Sequence, residues 1–178
     1  NAAVLSFEDL PILTPFANGY GGFNWTSSAN GLYAIDRDFH PGSGYDHGAV
    51  SGNNSIFNAW GISGNSIDLV GAGTFNFNGA YFTSAWQSQT VSLEGWNDGQ
   101  LVYASDSFAI DTEVPLFVSL NWFGVDRLVI NNEPNMHLVM DNFTFNESVA
   151  QTPVPAAVWL FGSALTGLLG MGKRKKAS

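Results

Sequence analysis

The residues that could do chemistry in this 178-residue chain are acids, aromatics and three histidines. Asp36, Asp38 and His40 alternate along one strand face, and Asp46 and His47 follow shortly after. Carboxylate and imidazole are both metal-ligand types, yet this spacing follows no metal motif, and the pattern reads as a solvated acidic loop. His137 stands alone and reads as a surface or core-edge histidine. Glycoside hydrolysis needs two carboxylates about 5–10 Å apart, one of them with a raised pKa. Nothing marks such a pair among the fifteen acids. No nucleophile elbow, phosphate-binding glycine loop or helix-borne metal pair is present, and there is no cysteine. The expectation is a protein that is not an enzyme.

The aromatics are the remaining candidates. Trp25, Trp60, Trp86, Trp96 and Trp122 have flat faces that suit a sugar ring, but large rings also fill the cores of β-sandwiches. Trp86, Trp96 and Trp122 lie in strand-like runs and read as core. Tyr20, Trp25 and Tyr45 lie in Gly-rich loops, where ligand stacking and structural plugging fit equally well; these three are the candidate ligand-binding residues.

The elements that must position these side chains are strands. From Val4 to Phe145 short apolar or alternating runs are separated by Gly and Asn, with no sustained helical period. Eleven strands are expected, among them Val4–Phe7, Ser55–Trp60, Thr74–Asn78, Ala80–Trp86, Thr90–Trp96 and Leu138–Phe145. Asn18-Gly19, Asn30-Gly31, Asn78-Gly79 and Asn97-Asp98-Gly99 read as turns, the last within the clearest hairpin. The fold class expected is all-β, a jelly-roll β-sandwich over residues 1–146.

Charge divides the chain. Up to Thr152 fifteen acids face only Arg37 and Arg127, a net of −13, whereas Lys173, Arg174, Lys175 and Lys176 close the sequence. That distribution excludes a nucleic-acid binder. Residues 147–153 read as a linker, and 154–178 as a single hydrophobic helix with a basic stop. Val154 to Gly172 carry no charge, and as a helix would span about 28 Å, close to the thickness of a bilayer core. The basic end would stay cytoplasmic and the body would face outward. A start at Asn1, with strand-like residues following at once, reads as a processed, exported chain.

Pro153-Val154-Pro155-Ala156-Ala157-Val158-Trp159-Leu160-Phe161-Gly162-Ser163, the apolar stretch and the basic cluster resemble the PEP-CTERM sorting signal of Gram-negative bacteria, in a form with Val154 at the centre of the proline motif. The resemblance implies a transient inner-membrane anchor, processing near Pro153, Val154 and Pro155 by an exosortase-type enzyme, and an extracellular matrix or biofilm setting rich in exopolysaccharide.

Phe7-Glu8-Asp9-Leu10, Gly19-Tyr20-Gly21-Gly22-Phe23-Asn24-Trp25, Ser51-Gly52-Asn53-Asn54 and Met140-Asp141-Asn142-Phe143-Thr144-Phe145 resemble secreted jelly rolls of the galactose-binding-like kind. The resemblance implies a structural Ca²⁺ held by Glu8 on the first strand and Asp141 on the last, an ion that takes six to eight hard oxygen ligands. It also implies a polysaccharide partner. The alternative is a structural extracellular protein that self-associates as a homo-oligomer or filament through an open sheet edge and recognises no sugar.

Overall fold

The computed structural model describes residues 3–15, 17–26 and 31–148. The linker from 149 onward, the proline motif and the expected C-terminal helix therefore lie outside the described residues. Among the described residues no helix is long and apolar enough to cross a membrane.

The described residues form twelve strands: β1 (Ala3–Leu5), β2 (Phe23–Thr26), β3 (Leu32–Asp36), β4 (Asn54–Asn58), β5 (Asn65–Leu69), β6 (Phe75–Ser84), β7 (Gln89–Asn97), β8 (Gln100–Ala104), β9 (Phe108–Ile110), β10 (Leu116–Val125), β11 (Arg127–Asn132) and β12 (Leu138–Phe145). One sheet runs β10-β6-β12-β4-β3 with β1 added to β12, the other β2-β5-β11-β7-β8 with β9 added to β7. Every pairing between these strands is antiparallel. The result is the expected jelly-roll-like sandwich.

The core between the sheets is aromatic. Phe7, Phe23, Phe75, Phe77, Phe82 and Phe143 are fully buried, with Phe23 meeting Phe75, Phe143 and Phe145 edge to face at 4.9–5.4 Å. Each such ring contributes about 1.5–3 kcal/mol on burial. A smaller cluster of Ile35, Tyr45, Phe57, Ala59, Ala85 and Val139 forms where the one-turn helix α1 (Gly44–Gly48) lies against the first sheet. Gly44 permits that approach, because an added Cβ would overlap the Ser84 carbonyl oxygen.

The hairpin expected at Asn97-Asp98-Gly99 joins β7 to β8, with positive φ at Asp98 and Gly99 (50° and 72°), as a primed turn requires. Asn78-Gly79 is instead the middle of β6. The Asn78 amide donates to Asn121 Oδ1 (3.0 Å) and to the Glu147 carbonyl (3.2 Å), and Gly79 is there because a Cβ would strike the Val118 backbone of β10. Two expected strands, Thr74–Asn78 and Ala80–Trp86, are therefore one. Trp60 does not continue a strand; it stands beyond β4 with a left-handed backbone (φ 64°, ψ 13°).

Candidate functional site

The outer face of the second sheet carries a row of side chains fixed by ladder register. Asn24 lies opposite Asp68, Asp68 opposite Arg127, and Arg127 opposite Trp96. Residues directly opposite in a ladder share a face, so the four form one line across four strands, about 14 Å long at the usual interstrand spacing. Leu101 extends it to the sheet edge beyond a bulge. The alternate residues of the same strands, Phe23, Trp25, Ile67, Leu128, Leu93 and Gly95, point inward and are buried.

An open hollow of about 650 Å³ lies over this row, lined among others by Asn18, Asn24, Ser66, Asp68, Trp96, Asp126 and Arg127. Its polar groups hold one another in place. Arg127 pairs with Asp68, whose other oxygen accepts the Ser66 hydroxyl at 2.7 Å. The Trp96 indole N–H donates to Glu94 Oε2 at 3.0 Å, and Asp126 Oδ2 accepts the Asp98 N–H at 2.7 Å. The half-buried Trp96 ring is thus oriented beside three acids and one guanidinium. Such a site offers a flat apolar flank and several hydrogen-bonding groups, the combination that fits a neutral polyol.

The residues expected to bind ligand are distributed otherwise. Trp25 is 3% and Tyr45 2% exposed. Trp25 packs edge to face on Phe7, Phe23 and Phe143, with its indole N–H donating to the Tyr20 carbonyl at 2.9 Å. Tyr20 is half-buried and donates to Asp9 Oδ1 at 2.7 Å. Burial and Asp9 hold its hydroxyl well above the ordinary phenol range. Tyr45 is walled in by Phe57, His40 and Trp86 and hydrogen-bonds His137 Nδ1. Trp25 and Tyr45 plug the fold and show no open face to a sugar, because inward strand parity claims one and the α1 contact the other. Trp96 and Trp86, by contrast, read as core in the sequence; Trp96 is on the outer face and Trp86 is 56% exposed, whereas Trp122 is buried. Parity carried the signal for Trp96, which falls in step with Ser92 and Glu94 and out of step with Val91 and Leu93.

Glu8 and Asp141 both converge on the loop before β4. Glu8 accepts the Asn53 and Asn54 N–H groups at 2.9 and 2.8 Å. Asp141, 0% exposed, accepts N–H groups from Val50 and Ser51 (2.8 Å each) and Asn142 (2.6 Å). Burial pushes the Asp141 carboxyl up to about 6 against the pull of these donors. A cation here would have to join or displace those amides. The acids around His40 do other work: Asp46 pairs with Arg37 at 2.7 Å and accepts the Gly42 N–H, and those contacts hold its carboxyl below the usual range. Among the described residues no group of three or more acidic, histidine or cysteine side chains could hold a metal.

No protein-family model and no curated protein matches the sequence. Solved structures match the fold. One is the CBM22-1–GH10 portion of Clostridium thermocellum endo-1,4-β-D-xylanase 10B complexed with xylohexaose, at TM-score 0.51 and 10% identity over 84% of this chain. This chain spans only 29% of that protein's length. Another is the CBM22-1 xylan-binding domain of Paenibacillus barcinonensis Xyn10C, at TM-score 0.50 and 11% identity, covering 85% of this chain and 97% of that domain. Both share with this chain an antiparallel two-sheet sandwich fold.

Proposed function

We propose that the chain is a carbohydrate-binding jelly roll and not an enzyme, and that a neutral polysaccharide lies across the outer face of the second sheet. The row Asn24–Asp68–Arg127–Trp96 beneath an open hollow carries this reading. Three acids against a single arginine that is already paired disfavour an anionic chain. The test is calorimetric titration of the full chain and its Trp96→Ala variant with xylohexaose, cellohexaose and laminarihexaose. Loss of a stacking face costs about 0.5–1.5 kcal/mol, a Kd weaker by about two- to tenfold, with the fold retained. Equal affinity in both proteins refutes the groove.

The extracellular setting belongs to the same proposal and is supported by the resemblance of residues 153–178 to a sorting signal. Intact-mass analysis of the secreted native protein tests it, and a mass ending at Ser178 refutes processing. A structural Ca²⁺ at Glu8 and Asp141 is also proposed, supported by the convergence of both carboxylates on residues 50–54.

A further inference from the structure

Two tryptophans that the groove does not use stand at one end of the first sheet. Trp60, 71% exposed, follows the C-terminal end of β4, and Trp86, 56% exposed, follows that of β6. The ladder places these ends on either side of the start of β12: Leu138 is opposite Ser84, and Val139 opposite Phe57. The two tryptophan loops are thus two strand spacings apart, about 10 Å.

Both loops are fastened to the single segment 133–137 by buried amides. Asn58, 0% exposed, donates to the Ile62 (2.7 Å) and Met136 (3.1 Å) carbonyls and accepts the Leu138 N–H. Asn135 N–H closes onto the Gly61 carbonyl at 2.9 Å. On the other side, Gln89 donates to the His137 carbonyl (3.1 Å) and to Ser84 Oγ (2.7 Å), whose hydroxyl donates to the Gln87 carbonyl. Behind Trp86 the ring is braced by His40 at 4.9 Å and Tyr45 at 5.4 Å.

Holding an exposed tryptophan in the left-handed region strains the backbone, and such strain clusters at ligand sites. The chemistry of the occupant follows from the loops. Residues 59–64 and 83–90 contain no charged side chain; they offer indole, amide and hydroxyl groups. Glu133, the acid of the fastening segment, is engaged by the Thr90 N–H and hydroxyl at 2.9 and 2.8 Å. That surface suits uncharged pyranose rings, which present C–H groups on a face and hydroxyls at the rim.

We propose that this end of the first sheet is a second, independent site for neutral sugars, with Trp60 and Trp86 as its platforms. It rests on the carbohydrate reading but not on the groove. Trp96 lies seven residues along β7 from Gln89, about 23 Å away and on the other sheet. One molecule would then bridge two polysaccharide chains.

The test follows the indole N–H resonances of the full chain while xylohexaose, cellohexaose and laminarihexaose are titrated in turn. The expected result is that Trp60 and Trp86 shift with at least one sugar, and still do so in Trp96→Ala. Trp60→Gly keeps the left-handed backbone without its cost, and with Trp86→Ala it should weaken that response about tenfold and abolish turbidity with the parent polysaccharide. If Trp96 shifts while Trp60 and Trp86 stay fixed, the second site is overturned and the groove stands. If Trp60 and Trp86 shift and Trp96 does not, the groove is overturned instead. No shift with any sugar overturns both, and shifts that depend on protein concentration alone assign this end to a second copy of the chain.

Discussion

The buried carboxyl of Asp141 makes stability depend on pH, a dependence that a bound calcium ion would erase. Its folded-state value of about 6 lies above the ordinary 3.8. The folded protein therefore binds the proton more tightly than the unfolded chain, so this group's contribution is present below about pH 4 and is lost as pH rises through 6. A gap of about two units corresponds to roughly 3 kcal/mol in full, of which about 2 kcal/mol falls between pH 4 and pH 7.5. Urea unfolding in chelator, at those two pH values, on the wild type and on Asp141→Asn, isolates the effect. The wild type should lose about 2 kcal/mol more than the variant on going to pH 7.5. Equal losses in the two proteins would refute the argument from burial. Excess Ca²⁺ at pH 7.5 provides the second arm. An ion bound by Glu8 and Asp141 would hold the carboxylate ionised, erase that slope, and add about 2.7 kcal/mol at a hundred times its Kd. Identical melting in chelator and in millimolar Ca²⁺ would remove the ion from the proposal.

Gly79→Ala should destabilise by about 1–3 kcal/mol, because the new Cβ drives β6 from the Val118 carbonyl; an unchanged melting temperature would contradict that packing. Trp25→Ala should cost about 3–5 kcal/mol in chemical denaturation, and Trp96→Ala clearly less, since one ring is fully in the core and the other is half-buried on the outer face. Arg127→Ala removes a half-exposed ion pair with Asp68 and should cost no more than about 1 kcal/mol, an effect that shrinks further in salt.

Glu8, expected on the first strand but lying in the turn three residues after β1, and Asp141, inside β12, show how far sequence reading reaches. The resemblance implies one ion shared by Glu8 and Asp141; in the structure Glu8 accepts the Asn53 and Asn54 N–H groups and Asp141 those of Val50 and Ser51, backbone donors with no sequence signature. Tyr45 and Trp86 exchanged roles for a similar reason. A glycine at 44 brings α1 against the first sheet, so the loop tyrosine is sealed in and the strand-end tryptophan is left outside.

Composition and turn residues by themselves determined an all-β sandwich and the β7–β8 hairpin, because these depend on neighbours in the chain. Only the tertiary structure decided that Asn24, Asp68, Arg127 and Trp96 form one row, and that Trp60 and Trp86 share one end. Those relations depend on which strands pair and in what register. Register is set by side-chain packing and by close approaches such as that of Gly79 to Val118, between residues far apart in the chain.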